Sequence, residues 1–113
     1  MLNLNNIRQI SAGDESFIKG VLKVYLTKEK EYSTSLSVSL SEKNYEDLRQ
    51  IVHKIKSSVS VLGMDDFRHQ LNTFEKALES HMLSDEEITN TANIIAAEFT
   101  RSLEVVRKEL EKF

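Results

Sequence analysis

The sequence predicts an all-α protein: an antiparallel four-helix bundle with a short N-terminal cover helix. Two observations carry that expectation. The 113 residues contain no proline and only three glycines, Gly13, Gly20 and Gly63, so little interrupts a helical backbone. Apolar residues also recur at steps of three and four on one side of each candidate helix, and such stripes must be buried against one another. The length is that of one domain, residues 1–113, with no linker composition inside it.

Taken in order, a first helix covers roughly residues 3–10 and ends at Ser11-Ala12-Gly13. Asp14 caps the second, its carboxylate accepting from the free amides of the first turn. Phe17, Ile18, Val21, Leu22, Tyr25, Tyr32, Leu36 and Leu40 form the apolar side of this second helix. Within Ser33–Ser41 the apolar residues alternate, as they do in a strand. Leu36 and Leu40 also fit the helical stripe. Helix is expected, because no partner strand exists elsewhere and a lone strand leaves its backbone unpaired.

Asn44 is a good N-cap for a third helix, whose seam is Tyr45, Leu48, Val52, Ile55, Val59 and Leu62. Gly63 stops it, since glycine readily takes the left-handed conformation of a helix end. The fourth helix runs from Asp65 to Ser80 with Phe67, Leu71, Phe74 and Leu78 inward. Ser84 to Glu87 is a capping box, and Leu83 with Ile88 forms the accompanying hydrophobic staple. A long fifth helix follows, striped by Ile88, Ala92, Ile95, Phe99, Leu103, Val106 and Leu110. Short connections make successive helices antiparallel. The acids Asp65-Asp66 and Asp85-Glu86-Glu87 complement helix N-termini and are not read as catalytic. Tyr25, Tyr32 and Tyr45 are expected in the core or at its boundary.

Composition excludes several classes. Net charge is −3 and no basic stripe runs along any face, which argues against nucleic acid as a partner. No apolar run approaches a membrane span. The start Met1-Leu2-Asn3-Leu4-Asn5-Asn6 lacks the layout of a signal peptide. Absence of cysteine removes disulfides and thiolate metal sites. A cytoplasmic location fits these features. No glycine-rich phosphate loop or nucleotide-binding kinase module is present, so autonomous kinase activity is not expected. His69 and His81 fall off the apolar stripes and read as surface residues. No metal-ligand set and no cofactor site is expected.

The chemistry concentrates on His53. The seam of the third helix lies between Val52 and Val59, and His53 points roughly 120–130° away from it. Arg49 lies one turn before it. Lys56, Ser57 and Ser60 follow within two turns, and Lys54 is adjacent but turned further round. Imidazole is the common side chain that acts as a nucleophile near neutral pH without help. A phosphoryl group on the ring brings about two negative charges and three acceptor oxygens. Arg49 and Lys56 offset that charge, and Ser57 or Ser60 donate hydrogen bonds to it. No carboxylate lies one turn away to act as a base, and a neutral imidazole attacking an activated phosphoryl donor needs none. On spacing alone, a histidine flanked by lysines is usually just part of a solvated helix face.

The wider pattern is more specific. The segment His53-Lys54-Ile55-Lys56-Ser57-Ser58, with Leu62-Gly63 after it and then Phe67, Leu71, Phe74 and Glu75, resembles the histidine-containing phosphotransfer (HPt) domain family. The family pattern has a histidine, a lysine three residues on, a small residue, and a glycine ten residues after the histidine; here these are His53, Lys56, Ser57 and Gly63. Its downstream helix carries apolar residues and a closing acid, matched through Glu75. The resemblance implies a four-helix bundle that accepts a phosphoryl group on His53 from a receiver-domain phosphoaspartate and passes it to another receiver. The implied partners are response-regulator receiver domains and a sensor (hybrid) histidine kinase, met by a monomer. The metal and catalytic acids of such transfers belong to the receiver. Docking is expected on the wet face of the third helix and an adjoining helix, with Val61 as an apolar contact. The family usually has glycine where this chain has Ser57. That departure motivates the alternative of an HPt-like adaptor that binds a receiver or kinase without phosphotransfer. A kinase dimerisation module is a third reading, but there an acid follows the histidine, where this chain has Lys54.

Overall fold

The computed structural model describes residues 2–113; Met1, the first residue of the expected domain, lies outside them. Six helices follow in order: α1 (Asn5–Ile10), α2 (Glu15–Thr27), α3 (Glu29–Ser41), α4 (Tyr45–Val61), α5 (Asp65–Ser80) and α6 (Asp85–Leu110). The third, fourth and fifth helices expected from sequence are α4, α5 and α6. The long second helix is instead divided at Lys28 into α2 and α3. Lys28 keeps right-handed helical angles, φ −84° and ψ −6°, while its N–H turns to Tyr25 O and the Thr27 hydroxyl donates to Val24 O at 2.6 Å. Such back-bonding by threonine bends helices. The serine-rich stretch 33–41 is helical throughout, as expected.

α4 packs between α3 and α5, while α6 packs on α2, α3 and α5. The α2–α3 unit, α4, α5 and α6 therefore close a four-membered bundle. Leu4 and Ile7 of the cover segment are buried with the core. The caps form as the sequence implies: Asp14 accepts from Phe17 N–H, Asn44 from Asp47 N–H, and Ser84 with Glu87 completes the capping box.

At the core's centre Phe99 meets Tyr25 edge-on and Tyr32 tilted, both with ring centroids 5.9 Å away. Tyr25 Oη lies 2.5 Å from Ser102 Oγ, and Ser102 in turn donates to Phe99 O. Burial pushes the Tyr25 phenol up to about 12. Phe17 is a correction to the expected stripe: it is half exposed, because the turn after Asp14 starts α2 at the end of the bundle. Val21 and Leu40 are half-buried, and Ile51 joins the core although the narrow seam of α4 passed it over.

Gly63 does more than end α4. Its φ is +66°, and a Cβ there would sit 2.1 Å from the carbonyl oxygen of Asn3. The N-terminal segment crosses at this point, with Asn3 N–H donating to Leu62 O at 3.1 Å. Gly63→Ala must both strain the backbone and lift this strand of chain. It is expected to lower stability by about 1–3 kcal/mol, read as a shift of the denaturant midpoint at unchanged slope.

Candidate functional site

The buried positions of α4 are Leu48, Ile51, Val52, Ile55 and Val59, which turns His53 to the rim that faces α5. Its side chain is 55% exposed. From α5, Phe74 and Leu78 point into the core. Glu75, next to Phe74, is carried to the edge of the same interface and is itself buried. A buried carboxylate needs partners to offset lost hydration. Glu75 has two close ones: His53 Nδ1 lies 2.7 Å from Oε2, and Lys56 Nζ donates to Oε1 at 2.5 Å. Lys56 also reaches Asn72 Oδ1 at 3.4 Å.

Burial pushes the Glu75 carboxyl upward, but hydrogen bonds from Lys56 and His53, with their charges, more than offset it and hold it below the usual carboxylate range. Glu75 is therefore ionised at neutral pH and can only accept. In its neutral form the ring then carries its proton on Nδ1, which leaves the lone pair on Nε2, at the side of the ring away from Glu75. The half-exposed ring is thus oriented, and its tautomer set, by a neighbouring helix.

Several expected site residues stand differently from the expectation. The Ser57 hydroxyl donates to His53 O at 3.2 Å and that of Ser60 to Lys56 O at 2.8 Å, so each is turned along its own helix instead of standing free beside the ring. Such back-bonding is the ordinary resting place of a serine inside a helix. The neighbourhood is also not simply cationic. Arg49 makes two hydrogen bonds to Glu46, at 3.0 and 2.6 Å, and lies 3.8 Å from Glu75 and 3.7 Å from Glu79. Lys54 lies round the helix, lining a groove toward α3 with Val38, Ser39, Asp47 and Gln50. Val61 is exposed, beside Val21 and Val24 of α2.

Spacing along α4 shows no carboxylate one turn from His53; Glu75 reaches the ring from α5 instead. In the sequence Glu75 stands out only as the closing acid of the family pattern. Its position directly after a core phenylalanine was the available signal. Asp85 likewise has a second role: it accepts from Tyr45 Oη and Lys43 Nζ, joining the α3–α4 turn to α6. His69 is exposed, and His81 caps α5 in the left-handed conformation with φ +57°. No helix among the described residues is long and apolar enough to cross a membrane.

A family model, the Hpt domain, matches residues 20–112. A comparison with curated protein sequences gives no match. Among solved structures, the chain is similar to the HPT domain from the Hpt sensor hybrid histidine kinase from Shewanella, with TM-score 0.83 and 16% identity, covering 99% of this chain and 95% of that one. At that identity the likeness speaks for the fold. An oriented, half-exposed histidine in an all-helical bundle, and a family match over most of its length, lead to one conclusion: the chain belongs to the Hpt domain family and has a histidine phosphotransfer role in two-component phosphorelays.

Proposed function

We propose that His53 is the residue that carries the phosphoryl group, taken from a receiver-domain phosphoaspartate and given to the aspartate of another receiver. The hydrogen bond between His53 Nδ1 and buried Glu75, at 2.7 Å, is the observation that supports this most. In the forward step the Nε2 lone pair attacks phosphorus. The Nε2–P bond forms as the acyl P–O bond breaks, and the receiver's carboxylate leaves with the bond pair. The ring gains positive charge while its Nδ1 proton stays on the Glu75 side, where the carboxylate stabilises it. Return to a second receiver reverses each bond change. The divalent metal and acids belong to the receiver, and this chain acts as a phosphocarrier without kinase activity of its own.

The described residues act as part of one domain, 1–113, which works as a monomer in the cytoplasm. Lys56 sits beside the ring through its bond to Glu75, and Arg49 is the second cation within reach. Docking uses the exposed face of α4 with Lys54, Ser57, Ser60 and Val61, continued onto α2.

The test mixes the protein with a receiver phosphorylated on its aspartate. Label that arrives on this chain, labile to acid and stable to alkali, supports transfer. Binding without label points to the adaptor instead. Lys56→Ala is expected to slow acceptance by about tenfold, through loss of one cation and of the bond that holds Glu75 in place. Rapid-quench transfer kinetics measure it, and unchanged helicity separates it from unfolding.

A further inference from the structure

We infer that Glu46 and Glu79 compete with the phosphoryl group on His53 for Arg49, and that this competition biases the domain toward giving its phosphoryl group away. The inference rests on His53 as the acceptor and adds a device that sets its phosphoryl occupancy.

Arg49 is one turn before His53 on the same helix, so the two side chains are surface neighbours. Its Nη1 lies 3.8 Å from Glu75 Oε2, the same oxygen that binds His53 Nδ1. The guanidinium and the ring thus share one carboxylate oxygen, on the Nδ1 side of the ring. Yet all three of its nitrogens face carboxylates: Nε and Nη2 bond Glu46 in a fork, and Nη1 is 3.7 Å from Glu79. Two cations, Arg49 and Lys56, thus meet three carboxylates, Glu46, Glu75 and Glu79.

A phosphoryl group arriving at Nε2 adds about two negative charges to this already acidic set. Lys56 is engaged by Glu75 and Asn72, and Lys54 is turned toward α3. Arg49 is the cation that can be reassigned, and a guanidinium is the best-matched side chain for phosphate oxygens. Reassignment requires it to leave Glu46 or Glu79. Whatever those acids contribute to holding Arg49 is subtracted from the stability of the phosphorylated state. Both side chains are more than half exposed, so each substitution removes a charge without disturbing the core.

The experiment uses phosphoramidate as a partner-free phosphoryl donor. His53 Nε2 attacks its phosphorus, the P–N bond breaks, and the already protonated amine leaves as ammonia while the Nε2–P bond forms. Occupancy is read by phosphorus NMR at a fixed ratio of donor to ammonia. Glu46→Gln and Glu79→Gln are each expected to raise the ratio of phosphorylated to free protein about threefold, the range of exposed ion pairs. Arg49→Gln is expected to lower it. In the Arg49→Gln background the gain from Glu46→Gln should disappear, and Arg49→Lys should restore part of it. Equal occupancy in wild type and both glutamine variants overturns the inference alone. A gain that persists undiminished without Arg49 also overturns it, since the acids then act by repulsion and not through the arginine. Label that survives His53→Gln removes the acceptor assignment, and this inference with it.

Discussion

His53→Gln is expected to abolish phosphoryl acceptance while the melting temperature moves by no more than a few degrees. The loss is complete because the substitution removes the only atom that forms the new bond, and no neighbouring side chain takes its place. Stability is spared for two reasons. The ring is 55% exposed and buries little apolar surface. Glu75 keeps its bond from Lys56 at 2.5 Å, and the glutamine amide is a donor on the same side, so the buried carboxylate is not abandoned. Incorporation from a phosphorylated receiver and a thermal melt measure the two halves. Residual labelling above a few per cent of wild type would move the acceptor to His69 or His81. A collapse of the melt would mean that the ring is structural.

The helices were legible because their signals are local. Asp14, Asn44 and Ser84 cap the helices they begin, and the stripe Ile88, Ala92, Ile95, Phe99, Leu103, Val106 and Leu110 is buried as far as Val106, with Leu110 half-buried at its end. The division at Lys28 was not legible. A continuous stripe from Ile18 to Leu36 describes a bent helix as well as a straight one, and no proline marks the bend. The exposure of His53 followed from its angle to the seam between Val52 and Val59. What surrounds it did not. Glu75 lies 22 residues on, and Glu79 belongs to the same partner helix, so the register of the antiparallel α4–α5 pair, which spacing does not fix, decides that both reach the site. The serines failed for another reason: spacing places Ser57 and Ser60 near the ring, but their hydroxyls have a carbonyl one turn back that spacing does not weigh.

Glu75→Ala is expected to slow phosphoryl acceptance by about tenfold to a hundredfold, the scale seen when a metal-bound histidine loses the carboxylate that orients it. Two effects combine. The ring becomes free to rotate and to place its proton on either nitrogen, so fewer molecules present the Nε2 lone pair. The imidazolium formed during attack also loses the charge that faces it. Glu75→Gln should fall between alanine and wild type, since its amide oxygen still accepts from Nδ1–H while the charge is gone. Stability should fall as well, by about 1–3 kcal/mol in Glu75→Ala, because Lys56 is left partly buried without its partner. Acid titration gives a separate reading of the same bonds. Glu75 titrates below its ordinary value of 4.5 in the folded chain, so its ionised form contributes stability at pH above that value. This contribution is lost as pH falls through the lowered one. Wild type should therefore lose stability on acidification below about pH 4.5, and Glu75→Gln, which has no proton to take up there, should lose less of it. If Glu75→Ala accepts phosphoryl groups at the wild-type rate, the 2.7 Å bond to His53 holds the helices together and contributes nothing to the chemistry.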